Sequence, residues 1–345
     1  VEADTLQISS IHVAGGDVSL SADALSMGSL VTTGSVALTA RTGAITDGNG
    51  GLLNITADSL TISSVHGVDL DTRVSTLDLT LSGSGNVHLE QSNRALTVVN
   101  LVVPDGDVSL LSNADVTLQS FDILAHHLSV AGANVTFETA VQGLSDLTVA
   151  ATGDVLFQAA IDITQALDVD ADGDVTFQAP VILGGSLSLI GDQVWFAESL
   201  STGGSIQVSA KNELRFSGDI DASDQTISLR ANQDGAGTQS LVVHGTLKTL
   251  NLSANSLVIH VGGSGSVLVD HVEVGGRVSI EAGGALRGFN QATTEIQAAS
   301  LQVITGTGMD VWTTATEVSA EVTQTGDILM TVADAVTAER LVTHN

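Results

Sequence analysis

Apolar residues along this chain recur in pairs separated by one polar residue, and the pairs themselves recur roughly every 20 residues, a spacing short enough to be one unit of a repeat. In the central third, Ala133-Asn-Val-Thr-Phe137, Gly153-Asp-Val-Leu-Phe157 and Gly173-Asp-Val-Thr-Phe177 follow at intervals of 20, with looser copies at Val194-Trp-Phe196 and Leu214-Arg-Phe216. Five of the seven Phe therefore form one series, Phe137, Phe157, Phe177, Phe196 and Phe216, with steps of 20, 20, 19 and 20. A second series runs Leu128, Leu147, Leu167, Leu187 and Ile206, partnered two residues on by Val130, Val149, Val169, Leu189 and Val208. A third runs Val141, Ile161, Val181, Leu200 and Ile220.

Alternation with a period of two is the signature of a half-buried strand and excludes helix over this stretch. A repeat this short holds neither a helical pair nor a propeller blade. Three apolar segments per repeat, separated by Gly, Asp, Asn or Ala turns, predict an all-β parallel β-helix with roughly 20 residues and three short strands per coil. Coils stacked ~4.8 Å apart would put each Phe over its equivalent, making an internal ladder.

Upstream the pattern continues in Val68-x-Leu70, Val87-x-Leu89 and Val108-x-Leu110, and less regularly in Gly16-Asp-Val-Ser-Leu20 and Ser35-Val-Ala-Leu38. Downstream, Ile227-x-Leu229 keeps step, and strands resume at Leu241, Leu257, Val278, Leu301 and Ile328. We read residues 1–345 as one continuous β-helix, most regular over 108–230, with loop insertions near 46–51, 232–239 and 284–293. That amounts to roughly 17 coils and a body of about 80 Å. The pattern is in progress at both Val1 and Asn345, as expected for a section of something longer whose export signal and anchor lie elsewhere.

Composition narrows the functional classes. Ten Lys and Arg face 39 Asp and Glu, a formal charge of −29, which repels nucleic acid and anionic lipid and offers no counterion release. Cys is absent, so thiol chemistry and disulfides are excluded. No apolar run reaches the roughly 18 residues that a membrane span needs, so membrane insertion is not expected.

Candidate chemistry is sparse. Asp168, Asp170, Asp172 and Asp174 have the D-x-D-x-D-G spacing that can wrap Ca²⁺, although Ala179 stands where an EF-hand loop needs Glu. The competing reading makes Asn134, Asp154 and Asp174 corner residues that cap local backbone N–H groups as Asx turns. Catalytic β-helix proteins need clustered carboxylates with nearby cations. Here Lys211 and Lys248 are the only lysines, the Arg are scattered and no Asp-Asp pair occurs, so we expect no enzyme and no catalytic residue. His126-His127 lies on consecutive positions, which point to opposite faces of a strand and suit no metal. Trp195 falls between inward Val194 and Phe196, so its ring points outward as a candidate ligand contact.

The Gly-Asp-Val-x-Phe units, with Gly185-Ser-Leu-Ser-Leu and Gly204-Ser-Ile-Gln-Val, resemble the repeats of filamentous-haemagglutinin-like proteins, large exported bacterial adhesins whose degenerate repeats are about 20 residues long. The resemblance covers most of the chain and rests on repeat style. It implies a right-handed β-helix shaft at the cell surface or outside the cell, and no catalytic residues. We expect a structural or adhesive module of a bacterial surface or extracellular fibre, needing no cofactor unless Ca²⁺ binds. Its expected partners are other copies of itself or flanking repeats, and glycans of a host or neighbouring cell surface. The alternative is a carbohydrate-binding or carbohydrate-cleaving β-helix of the tailspike or polysaccharide-lyase type.

Overall fold

Short alternating runs of Val, Leu, Ile and Thr bury one face of a strand and leave N–H and C=O groups along both edges, and here the equivalent runs of neighbouring coils pair with those edges. The computed structural model describes residues 5–124, 126–289, 295–332 and 335–344. These residues contain no helix and form a parallel β-solenoid of about 17 turns, roughly 20 residues each. The chain divides into two compact units, residues 1–164 and 165–345.

In the first unit one sheet stacks Val68–Arg73, Val87–Gln91, Val108–Ser112, His127–Gly132 and Asp146–Ala151 in parallel, so that Leu70, Leu89, Leu110, Val130 and Val149 lie directly over one another. The second sheet stacks Val116–Leu118, Val135–Phe137 and Val155–Phe157. Phe137 and Phe157 are fully buried and stack at 4.7 Å, with Phe121 set edge-on to Phe137 at 6.2 Å.

In the second unit the corresponding rows run Val169, Leu189, Val208, Leu229, Ile259, Ile280 and Val303 in one sheet. The other sheet carries Phe177, Phe196 and Phe216, stacked nearly parallel at 4.4 and 4.9 Å. After Phe216 the row continues as Val243 and Val269, so the ladder passes from aromatic to β-branched.

Three strands per coil are seen where a turn separates the last two, as in Leu167–Ala171, Val175–Phe177 and Val181–Leu183. Elsewhere those two fuse into one longer strand, Leu96–Val103, Leu241–Thr249 or Val267–Val274, and a register shift between Val98 and Asn100 or between Val243 and Thr246 replaces the corner. Corners stack tightly. A Cβ on Gly106 would lie 2.1 Å from the Gly85 carbonyl oxygen, and one on Gly85 would lie 2.3 Å from the Gly67 nitrogen, so side chains are excluded there.

Excursions leave at corners and return in register. Asn232 to Gln239 lie outside any strand, yet Leu241 pairs with Leu214 in the preceding coil. Asn232 starts this excursion in the left-handed conformation (φ 51°), which Asn tolerates, and its Nδ2 donates to the Gly262 carbonyl at 2.8 Å. Between Ile45–Asp47 and Ile55–Thr56, which both pair with Ala24–Val31, residues 48–53 leave the strand pattern. Of the span 284–293, Ala285–Gly288 is a strand in register with Val267–Val274 and Gly308–Thr313, and residues 290–293 lie outside the described residues.

Removing one ring from the middle of the stack leaves a cavity between two rings that cannot close. Phe196→Ala should destabilise the chain by about 3–5 kcal/mol, read as a lower urea midpoint. A midpoint within error of the parent would show that the ladder carries little of the stability.

Candidate functional site

Several carboxylates stand at corners, and there they bond to the next coil. Asp115 Oδ1 accepts the Asn134 backbone N–H at 3.1 Å and its Nδ2 at 2.8 Å, while Asn134 Oδ1 accepts the Asp154 N–H at 2.8 Å. Asp17 accepts from Ser35, Asn86 from Asp107, Asp107 from His127, Asp174 from Gln193 and Asp219 from Thr246 in the same way. The local Asx turn expected for Asn134 and Asp174 is thus replaced by a cap between coils. Its physical reason is spacing: a short side chain at a corner reaches the backbone N–H ~4.8 Å above it.

The residues of the D-x-D-x-D-G segment spread over two surfaces. Asp168 and Asp170 point out of strand Leu167–Ala171, where the next coil presents Ser188 and Ile190. Asp172 lies at the corner 3.7 Å from Lys211 Nζ, and Asp174 caps the Gln193 N–H. Among the described residues no group of three or more His, Asp or Glu is placed to hold a metal ion. His126 lies 2.8 Å from Asp105, while His127 opens its strand with its N–H capped by Asp107.

Two carboxyls are displaced in opposite directions. Residues 47–54 fold back on Asp47, whose carboxylate accepts from the Asn49 and Gly51 N–H groups and from Asn54 Nδ2. Asn54 is fully buried, and its Oδ1 accepts the Asp71 N–H at 2.7 Å. Burial works to raise the Asp47 pKa, but these hydrogen bonds outweigh it and hold the carboxyl below its ordinary value of 3.8. Asp71 moves the other way. Burial first, then the charges of Glu90, Asp47 and Asp69, push it above that value.

Trp195 is the exposed aromatic of the Phe196 strand. It is 41% exposed, and its indole N–H donates to Ser217 Oγ at 3.1 Å, which fixes the ring's direction. Trp195 lies next to Arg215 in the neighbouring coil, with Gln193 and Glu213 completing a shallow recess. The same outward row continues as Val242, Leu268, Arg287 and Asp310. Beside it, His244 and Phe289 stack with ring centroids 4.4 Å apart. Arg215 can be read from the repeat, since Leu214-Arg-Phe216 copies Val194-Trp-Phe196. The enlarged coil from Leu214 to Leu241 hides the rest of the row from a fixed period.

No helix of the described residues is long and apolar enough to cross a membrane. No protein-family model, no curated protein and no solved structure matches the chain.

Asn134→Ala removes two inter-coil side-chain bonds at once and should lower stability by about 1 kcal/mol, read as a shift in the urea midpoint. No shift would mean that water caps these groups equally well. For Asp71 the folded pKa lies above the unfolded one, so its contribution is fully present below the unfolded value and is lost as pH rises through the folded one. Asp71→Asn should therefore raise the melting temperature at pH 7, with the gain shrinking below pH ~4 as the parent carboxyl protonates in both states. A gain that is the same at pH 3 and pH 7 would remove the electrostatic account.

Proposed function

We propose that this chain is a structural module of an exported bacterial surface protein or extracellular fibre, a shaft that spaces or presents other parts and carries no catalytic centre. The observation supporting this is the ladder: each coil draws its core, its backbone hydrogen bonds and its corner caps from the coils on either side. The chain's charge, −29 in 345 residues, suits an exported protein kept soluble in salt. The partners we assign are flanking repeats or further copies joined through strand edges, with glycans as the surface ligand. Calcium would act here only as a stabiliser, through the Asp168–Asp174 segment.

Electron microscopy of the purified chain over a range of concentrations, with a melting curve in calcium and in excess chelator, tests this reading. We expect slender particles or concentration-dependent filaments, and a melting temperature that chelator leaves unmoved. Compact round particles, or turnover of a polysaccharide by the chain alone, would overturn the shaft. A melting temperature that falls by several degrees in chelator would make calcium part of the fold, since a ligand held only by the folded state adds stability.

A further inference from the structure

The aromatic residues fall into two sets. Of seven Phe and two Trp, five Phe form the internal rows and Phe121 leans on them. The remaining three, Trp195, Phe289 and Trp312, all belong to the second unit and lie on, or at the end of, strands of one sheet. Trp195 and Phe289 are 41% and 43% exposed, and Trp312 projects outward, half-buried, between inward Val311 and Thr313. About two fifths of the surface of Trp195 and of Phe289 faces water, apolar area that a ligand can cover.

The row on which Trp195 lies is also where two of the ten basic residues stand, Arg215 and Arg287. They are matched by Glu213, Asp270 and Asp310 on the same face, so this surface is near charge balance in a chain of −29. It offers nothing to a polyanion or a polycation. A protein partner of ordinary size covers about 800 Å² with a continuous apolar centre. The apolar groups here are instead single file and interrupted by charges. What fits is a narrow, uncharged chain with flat apolar faces and many hydroxyl groups. Consecutive row positions are ~4.8 Å apart, so Trp195 to Arg287 covers ~19 Å, room for several sugar units laid along the row.

We propose that this row binds an extended neutral saccharide, with Trp195 as the platform on which one pyranose stacks. Arg215, Glu213 and Gln193 in the recess around it supply hydroxyl partners. The Ser217 hydroxyl accepts the indole N–H and so holds the ring in one orientation before binding. The proposal rests on reading the chain as a surface-displayed shaft, but its test is separate: binding is measured on single molecules in solution, whatever their shape or assembly.

Calorimetric titration of the chain with cellohexaose, chitohexaose and mannohexaose is the experiment, with polygalacturonate as the acidic comparison. At least one neutral hexasaccharide should bind and polygalacturonate should not. Trp195→Ala should weaken that binding about tenfold, the scale of one lost aromatic contact. Trp195→Phe should retain most of it. Ile190→Ala, on the outer face of the other sheet, should bind as the parent does, and matching melting curves would show that all three variants fold. Failure of all three neutral probes, or unchanged binding by Trp195→Ala, overturns the proposal. So does self-association in sedimentation velocity that Trp195→Ala abolishes, which would assign the row to a second copy of the chain.

Discussion

Everything in this chain depends on hydrogen bonds that run from one coil to the next. A single coil has three short strands and no partner within itself for their N–H and C=O groups, so only stacking satisfies them. In-register parallel stacking then dictates the chemistry of each row. Whatever stands at one position sits against its equivalents one turn up and one turn down, at a distance set by the backbone. Phenylalanines at equivalent positions of successive coils become parallel rings 4.4 to 4.9 Å apart because no other arrangement is open to them.

The same rule bears on the acidic residues, because carboxylates stacked at the backbone repeat would repel strongly at any but high salt. Along several rows the chain avoids this by alternation. Asn134 stands between Asp115 and Asp154, Ser188 stands over Asp168, and His88 stands over Asp69. Asp71 breaks the rule by facing Glu90 one coil on, and its carboxyl is correspondingly raised. Part of the large negative charge is therefore structural, used in capping the N–H groups of the next corner.

Period and alternation make the core legible in the sequence, and Phe137 to Phe216 with the Leu128 and Val141 series are buried where alternation puts them. The legible part ends where the period does. Fused strands replace a corner by a register shift, which in Leu241–Thr249 a lone glycine, Gly245 (φ 148°), marks without interrupting the strand pattern. Buried polar anchors are equally silent in the sequence. Asn54 and Gln91 belong to none of the apolar series, yet each is inside, Gln91 clasping both the N–H and the C=O of Val74. The neighbours of Trp195 beyond Arg215 were hidden because their positions depend on how long an excursion runs before the strand returns.

The stacked corners have a consequence for how such a chain changes over generations. An insertion at a corner, like the residues between Ala231 and Leu241, leaves every row aligned, because the chain goes out and comes back to the same lattice position. A single residue gained or lost inside Val175–Phe177 would turn that strand inside out, sending its core residues to water. Descendants of this sequence should therefore vary in length freely at the vertices of the coil, and by whole coils through duplication, while the strand segments keep their length almost unaltered.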